Sequence, residues 1–511
     1  MKQTAVVVAA VLVGLLISAC LKFVPGRQHI SPDQGANSRL NTPSYQDGSS
    51  PERPVGQRPN ILFILADDLR ASDLQYMPST QNLLEKHGEM FTNAWVTRAL
   101  CCPSRATILR GQYAHNHEVW TNVYPSGGFW RFHDQGLENS TIATWLDDSA
   151  YDTVFIGKYL NPYGLDRDNN YAPTTYVPPG WDRWYAWEGT YRGTHTKYDI
   201  NENGQIVTYY RPKTHDTDLY AQTAERFIRQ TVGGAPFFMH LSTNAPHDPA
   251  YYPPRHADLF SDTSLPKPPS FNEKDVSDKP AWVRNKPLLS STEVQKLTEL
   301  YRDRLRSLQS VDEMVGRLVD TLRDTGELSN TYIVFTSDNG IYLGEHRLTH
   351  KGAAYNASPR IPLLVRGPSV PQGVIRSQMV LNNDLAPTFA DLGGVQVPSF
   401  VDGRSLKPLL ATSSPAPSWR RAFLVEHRRS AEEQEDVRAI PNYDAVRTSR
   451  YNYVEYPTTG EKELYDLNTD PYELTNIYSS ASPTLLNDLK TRLDALKSCA
   501  GAECKRAEDG G

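Results

Sequence analysis

Four runs of apolar residues, each unbroken by a charge, constrain the fold of this 511-residue chain more than any other feature. Asn60-Ile-Leu-Phe-Ile-Leu-Ala66 leads into Asp67-Asp68, and Thr153-Val-Phe-Ile156 into Gly157-Lys158. Pro236-Phe-Phe-Met239 leads through His240 to Asn244-Ala-Pro-His247, and Tyr332-Ile-Val-Phe335 to Thr336-Ser337-Asp338-Asn339-Gly340. A strand with one wet face alternates apolar and polar residues. A continuous run needs cover on both faces, as in a parallel sheet flanked by helices. Each run ends in polar or charged groups on its carboxyl side, the edge where open α/β sheets bind ligands. Helices are predicted between them, at Thr80 to His87 and Thr141 to Ser149. A long one is predicted from Thr292 to Thr325, where Leu297, Leu300, Tyr301, Leu305, Leu308, Val311 and Val315 form a stripe. Strand-like Ala422 to Glu426 and Tyr451 to Tyr456, then helical Pro483 to Lys497, predict a smaller subdomain of antiparallel sheet plus helix.

Composition narrows the class. With 53 basic against 59 acidic side chains the net charge is −6, which speaks against nucleic acid as a partner. Five cysteines are too few for a disulfide scaffold. Lys2 precedes a 15-residue apolar run, Ala5 to Ala19, shorter than the ~20 residues of a spanning helix, so residues 1–20 read as a secretory signal. Ile17-Ser18-Ala19-Cys20 is similar to a bacterial lipobox, which implies a secreted or cell-surface lipoprotein touching the membrane only through lipid on Cys20. The alternative is an ordinary signal cleaved nearby. Residues 21–57, rich in Ser, Pro, Asn, Gln and Gly, read as a flexible linker. The catalytic body is expected over 58–400 and the smaller subdomain over 401–511. Outside the cytoplasm Cys499 and Cys504, five apart, can close a disulfide loop, or they remain free thiols on a frayed tail.

Asp67, Asp68, Asp338 and Asn339 form an all-oxygen set. Such donors suit a hard cation, Ca²⁺ or Mg²⁺, whereas zinc favours nitrogen or sulfur. An Asp-Asp pair after one strand also fits a phosphate-receiver site or a helix cap. The matching Asp-Asn-Gly after a second strand favours a metal.

Cys101-Cys102-Pro103-Ser104-Arg105 is the most informative stretch. Read alone, it could be a buried cysteine pair at a helix start with proline in the first turn. It resembles the Cys-x-Pro-Ser-Arg signature of the type I sulfatases, in which the first cysteine is oxidised to Cα-formylglycine. The resemblance runs from about Arg58 to Cys504. It includes Pro59-Asn60-Ile61, Ala106 to Gly111, Gly157-Lys158, Ala245-Pro246-His247, Gly344-Glu345-His346, Lys351, Ile361-Pro362-Leu363-Leu364, Asp384-Leu385-Ala386-Pro387-Thr388 and Leu464-Tyr465-Asp466-Leu467. Cys101-Cys102 and Ala114-His115-Asn116-His117 look most like the N-acetylglucosamine-6-sulfatase subgroup.

The resemblance implies an alkaline-phosphatase-like mixed α/β sheet and hydrolysis of sulfate monoesters, on a 6-O-sulfated amino sugar of a glycan or on an aryl sulfate. A formylglycine-generating enzyme would mature residue 101. The hydrated aldehyde would offer two hydroxyls on one carbon: one attacks sulfur, and the other drives release of sulfate as the aldehyde reforms. Asp67, Asp68, Asp338, Asn339 and matured Cys101 would hold Ca²⁺, or Mg²⁺. Arg105 would hold the hydrate and the carboxylates, Lys158 and Lys351 the sulfate oxygens. His247 would carry the proton for hydrate breakdown, Lys351 would assist the leaving oxygen, and His115 would touch substrate. Two departures stand out. Arg110 replaces a common Thr, and Gly157-Lys158-Tyr159-Leu160 lacks the histidine that relatives place after the lysine, a role Asn161 is a candidate to fill. The rival readings are a phosphodiesterase or phosphonate monoester hydrolase of the same superfamily, and an inactive glycan-binding protein. The aromatic stretch Trp181, Trp184, Tyr185, Trp187 fits a sugar cleft or a packed core equally.

Overall fold

A computed structural model describes residues 58–188, 197–211, 213–411, 419–429 and 439–510. The signal segment, Cys20 and the linker to residue 57 lie outside the described residues. Among the described residues, no helix is long and apolar enough to cross a membrane.

The large sheet has eleven strands: β1 (Asn60–Ala66), β2 (Glu89–Trp95), β3 (Asp152–Lys158), β4 (Arg183–Glu188), β5 (Lys197–Glu202), β6 (Gln205–Tyr210), β7 (Phe237–Ser242), β8 (Thr331–Ser337), β9 (Arg360–Arg366), β10 (Val374–Arg376) and β11 (Val380–Leu381). Their order is β10-β2-β9-β8-β1-β7-β3-β4-β5-β6, with β11 also on β2. The four apolar runs become β8, β1, β7 and β3, adjacent and mutually parallel at the centre. All four therefore deliver their carboxyl ends to the same edge. β9 and β5 run against these four, and β6 turns back to pair antiparallel with β5, so the sheet is mixed.

Burial explains why these runs are continuous. Ile61, Phe63 and Leu65 enter one core, with Phe155, Phe238 and Val334. Leu62, Ile64 and Ala66 enter the other, with Val154, Met239 and Phe335. The second core is capped by the helix Ser291–Asp324, whose Leu297, Tyr301, Leu305, Leu308 and Val311 are buried. Ser290 caps it, accepting from the Glu293 N–H while Glu293 reaches back to the Ser290 N–H. Each fully buried Leu, Ile or Phe contributes ~1.5–3 kcal/mol, so the two-faced core dominates stability.

Strands β12 (Ala422–His427), β13 (Tyr443–Thr448), β14 (Tyr451–Glu455) and β15 (Lys462–Asp466) form a separate antiparallel sheet. The helix Pro483–Leu496 packs on it, with Leu489, Leu493 and Leu496 in a third core shared with Trp95, Trp282 and Tyr342 of the large body. Val401, Leu406, Leu409 and Leu410 belong to the first core, and the small sheet begins at Ala422. Cys499 and Cys504 are disulfide-bonded. Trp181, Trp184 and Trp187 are buried, and Trp184 stacks on Phe155, so the aromatic stretch around β4 is packing.

Candidate active site

The site forms where the four central strands end. β1 stops at Ala66, and Asp67-Asp68 turn across the sheet edge with Asp68 in a left-handed conformation (φ 66°). The turn is stitched to its neighbours: the Asp67 N–H donates to Ala245 O (3.1 Å), the Asp68 N–H to Asp338 Oδ1 (3.0 Å), and the Leu69 N–H to Ser337 Oγ (2.8 Å). β8 ends in Ser337 and presents Asp338 and Asn339. β3 ends in Lys158, preceded by Gly157 with φ +102°. A Cβ at Gly157 would lie 1.8 Å from Ser242 O, so only glycine lets β3 close on β7 there.

Cys101 opens the helix Cys101–Arg110, its sulfur buried at the helix N-terminus, where the dipole favours negative charge. The sulfur lies 3.6 Å from Asp67 Oδ1 and 2.9 Å from Lys351 Nζ. One turn on, Arg105 donates to Asp338 Oδ2 (2.8 Å), Lys158 O (2.7 Å) and Ser242 Oγ (2.6 Å), and lies 3.9 Å from Asp67. Lys158 pairs with Asp67 and Lys351 with Asp68. Asn339 Nδ2 donates to Asp68 Oδ1 (2.6 Å). His247 Nε2 lies 3.6 Å from Asp68 Oδ2, with 22% of its side chain exposed at the rim.

Three carboxylates, all buried, face three cations. Burial would raise the Asp67 pKa, but Lys158, His247, Arg105 and Lys351 together hold it well below the usual range. Asp68 is likewise held low against burial, chiefly by Lys351 and His247. Asp338 is pushed up to about 6 by burial and by the negative charge of Asp67, with Arg105 opposing. Burial pushes the Cys101 thiol up to about 12 despite Lys158 and Lys351, so an unmodified residue 101 is a neutral thiol.

The residues fit a hard cation. Ligand atoms of Asp67, Asp68, Cys101 and His247 all lie within 4.8 Å of one another. The Asn339 amide oxygen is buried and has no hydrogen-bond partner. A buried amide oxygen without a partner beside crowded carboxylates is a donor set that suits a hard divalent cation.

The structure thus gathers Asp67, Asp68, Cys101, Arg105, Lys158, His247, Asp338, Asn339 and Lys351, and it does not gather His115. His115 Nδ1 lies 3.1 Å from both oxygens of buried Glu426, and Nε2 lies 2.9 Å from Cys499 O. Both ring nitrogens are spent on protein groups. Burial alone would lower the His115 pKa; Glu426 lifts it to about 9. Tyr159 and Leu160 are in the core. Asn161 accepts the Phe129 N–H through its backbone carbonyl (2.6 Å), whereas the Cys101 sulfur is met by Asp67 and Lys351. Arg110 holds Leu137 O and Ser140 O and covers the Phe400 ring, which accounts for its departure from threonine. Two contributors escaped sequence reasoning: Ser242, which accepts from Arg105, and Arg304, a buried arginine in an otherwise apolar stripe. That break in the stripe was the available signal.

Beside Lys351 opens a cavity of about 460 Å³, within the range of small-molecule sites. Leu100, Asn122, Trp282, Tyr342 and Arg347 line it from the large body, and His427 from β12.

Comparison with known proteins agrees with this geometry. Residues 59–395 match the family model described as Sulfatase, and residues 344–499 that described as N-sulphoglucosamine sulphohydrolase, C-terminal. The chain is 34% identical to an arylsulfatase of Volvox carteri (88% of this chain, 76% of that one). It is 32% identical to the N-acetylglucosamine-6-sulfatase of Homo sapiens (88% and 86%). Among solved structures, one described as a complex with its substrate D-glucosamine-2-N,6-O-disulfate superposes with a TM-score of 0.74 at 25% identity, covering 89% of this chain and 99% of that one.

Proposed function

Because this chain belongs to the sulfatase family and is a sulfuric ester hydrolase, we propose that it removes the 6-O-sulfate of an amino-sugar unit in a sulfated glycan. Residue 101 would act as Cα-formylglycine, installed by a formylglycine-generating enzyme, beside Ca²⁺ or, as the second choice, Mg²⁺. The sugar assignment is supported by the 6-sulfatase relative and by the disulfated glucosamine bound to the solved one. The arylsulfatase relative keeps aryl sulfates as the second substrate class. The lipobox-like segment supports a cell-surface location with lipid on Cys20.

One observation carries the mechanism: the Cys101 sulfur lies between the Asp67 carboxylate and the Lys351 ammonium, at a helix N-terminus facing three buried carboxylates. Asp67, Asp68, Asp338 and Asn339 would hold the cation, which supplies positive charge against the sulfuryl oxygens and acidifies the nucleophile. Matured to the aldehyde and hydrated, residue 101 would supply two hydroxyls on one carbon, a nucleophile with its own route for sulfate release. The other groups belong to the chain. Arg105 ties the helix of residue 101 to Asp338 and to the ends of β3 and β7. Lys158 and Lys351 neutralise Asp67 and Asp68, and their long stems let them turn to a sulfate group once a cation takes the carboxylates. His247, partly open at the rim, moves the proton during hydrate breakdown. Lys351, on the cavity wall, assists the leaving alcohol.

Mass spectrometry of the peptide carrying residue 101 tests the nucleophile, using protein made in a host that has the maturation enzyme. An active protein with only the thiol at 101 would overturn it. Sulfate release from N-acetylglucosamine 6-sulfate, compared with cleavage of an aryl phosphodiester, tests the reaction. Faster phosphodiester turnover moves the chain to the phosphodiesterase or phosphonate monoester hydrolase reading. An unmodified, inactive protein that still binds glycan favours the binding-protein reading.

A further inference from the structure

The helix Ser291–Asp324 packs through an apolar face, yet Arg304 on that face is fully buried. Its neighbours one turn either way, Tyr301 and Leu308, are core residues, and a Leu or Met at 304 would pack as well without a charge to desolvate. Asp73 Oδ2 lies 3.8 Å away, too far for a hydrogen bond, so the charge has only a loose counterion.

What Arg304 does bond is backbone, in two places. Its NH2 group donates to Asp68 O at 2.6 Å and its NH1 group to Pro246 O at 2.9 Å. Asp68 O belongs to the peptide leaving the Asp67-Asp68 turn, and the N–H of that same peptide is held by Ser337 Oγ. The plane is therefore pinned at both ends, which fixes where the Asp68 carboxylate points from its left-handed backbone. Pro246 O belongs to the peptide that enters His247. One planar guanidinium thus spans the turn that carries two carboxylates of the site and the turn that carries its histidine.

We propose that Arg304 is a positioning residue that sets Asp68 and His247 in register with each other, so that cation binding and proton transfer depend on one buried guanidinium. This rests on the roles assigned above to Asp68 and His247. A planar fork can bridge two carbonyls; an ammonium at the same site would reach one of them well.

The test uses the full chain matured at residue 101 and compares wild type with Arg304→Lys, Arg304→Met and Arg304→Ala. Ca²⁺ affinity is measured by calorimetry, with kcat and KM for N-acetylglucosamine 6-sulfate and thermal melting alongside. Arg304→Lys, which keeps charge and volume, is expected to bind Ca²⁺ about tenfold more weakly and lose about tenfold in kcat with KM nearly unchanged. Arg304→Met is expected to lose about 100-fold in kcat. Arg304→Ala leaves room for a free guanidinium ion, and millimolar guanidinium should restore its kcat saturably while leaving wild type and Arg304→Met unchanged. Variants that melt early but keep wild-type kcat and Ca²⁺ affinity would make Arg304 a packing residue and overturn the proposal. So would Arg304→Lys behaving as wild type, even if the larger truncations do not fold. A wild-type protein that ignores Ca²⁺ and Mg²⁺ would instead refute the function proposed above, which keeps the two failures apart.

Discussion

Two buried charge clusters in this molecule are built alike and behave oppositely. In one, Asp384, Arg420 and Glu508 are all fully buried between the large body and the small sheet. Arg420 spans both carboxylates, with 2.5 and 2.7 Å bonds to Asp384 and one of 2.9 Å to Glu508. The remaining acceptors are filled by the N–H groups of Leu381 and Arg404, the Arg404 side chain and the Tyr113 hydroxyl. In the other, Asp67, Asp68 and Asp338 crowd at the sheet edge, two of them neutralised by lysines, with an orphaned Asn339 oxygen beside them. Arginine forks and backbone donors lock a geometry, whereas lysine ammoniums on flexible stems exchange partners. A fully satisfied network specifies structure, and a partly satisfied one is poised for a ligand.

The largest expected effect separates chemistry from scaffold at one atom. Cys101→Ala should lower kcat by ~10⁴-fold or more, about 5.5 kcal/mol of transition-state stabilisation, with little change in melting temperature. Cys102→Ala should be mild, because that thiol sits in the first core. Equal and total loss in both variants would assign the chemistry to the wrong sulfur. Next, Arg420→Met should reverse the pattern. Leaving Asp384 and Glu508 buried without their shared cation should cost about 3–5 kcal/mol of stability. The folded fraction, measured by denaturant titration alongside Ca²⁺ calorimetry, should keep wild-type cation affinity. A matching loss of affinity would mean the two clusters are coupled.

Removing the cation should break the symmetry in a pH-dependent way. Folding raises the Asp338 pKa from 3.8 to about 6, so the folded, ion-free protein binds this proton more tightly than the unfolded chain. Its ionisation therefore costs the folded state nothing below about 3.8 and the full penalty above about 6. Excess chelator should lower the melting temperature more at pH 8 than at pH 5. Ca²⁺ at 100 times its Kd should restore about 2.7 kcal/mol. An equal drop at both pH values would remove Asp338 from the cation site.

The same contrast explains what was legible in the sequence. β8, β1, β7 and β3 were visible because burial on both faces leaves continuous apolar runs, and their polar ends named Asp67, Asp68, Asp338 and Asn339. Lys158, His247 and Lys351 came through resemblance, since a single lysine or histidine after a strand carries no spacing signal. β5 and β6 were missed although Asn203-Gly204 between them is a two-residue hairpin signal: β6, Gln-Ile-Val-Thr-Tyr-Tyr, lies half-exposed at the sheet edge and is not one of the continuous runs buried on both faces. The Asp384–Arg420–Glu508 cluster was invisible because its members, scattered over more than a hundred residues, meet only in the folded chain. The tryptophans of β4 were ambiguous because a sugar cleft and a packed core recruit the same rings.

His115 offers the smallest and most discriminating test of the distinction. It lies in a segment that resembles the 6-sulfatase subgroup, yet the structure gives its ring to Glu426 and Cys499 O and stacks it on Tyr113. His115→Phe keeps the stacking and removes both hydrogen bonds, leaving Glu426 buried without its cation. A loss of about 1–2 kcal/mol is expected, with kcat/KM within about twofold of wild type. Because folding raises the His115 pKa from 6.5 to about 9, its contribution is complete below pH 6.5 and fades as pH climbs through 9. The stability gap between wild type and variant, followed by denaturant titration, should therefore narrow across that interval. A gap independent of pH would show that the imidazole is neutral in the fold. A large loss of kcat/KM at unchanged stability would return His115 to the substrate, and the line between the two kinds of buried charge would have to be redrawn through the 6-sulfatase-like segment itself.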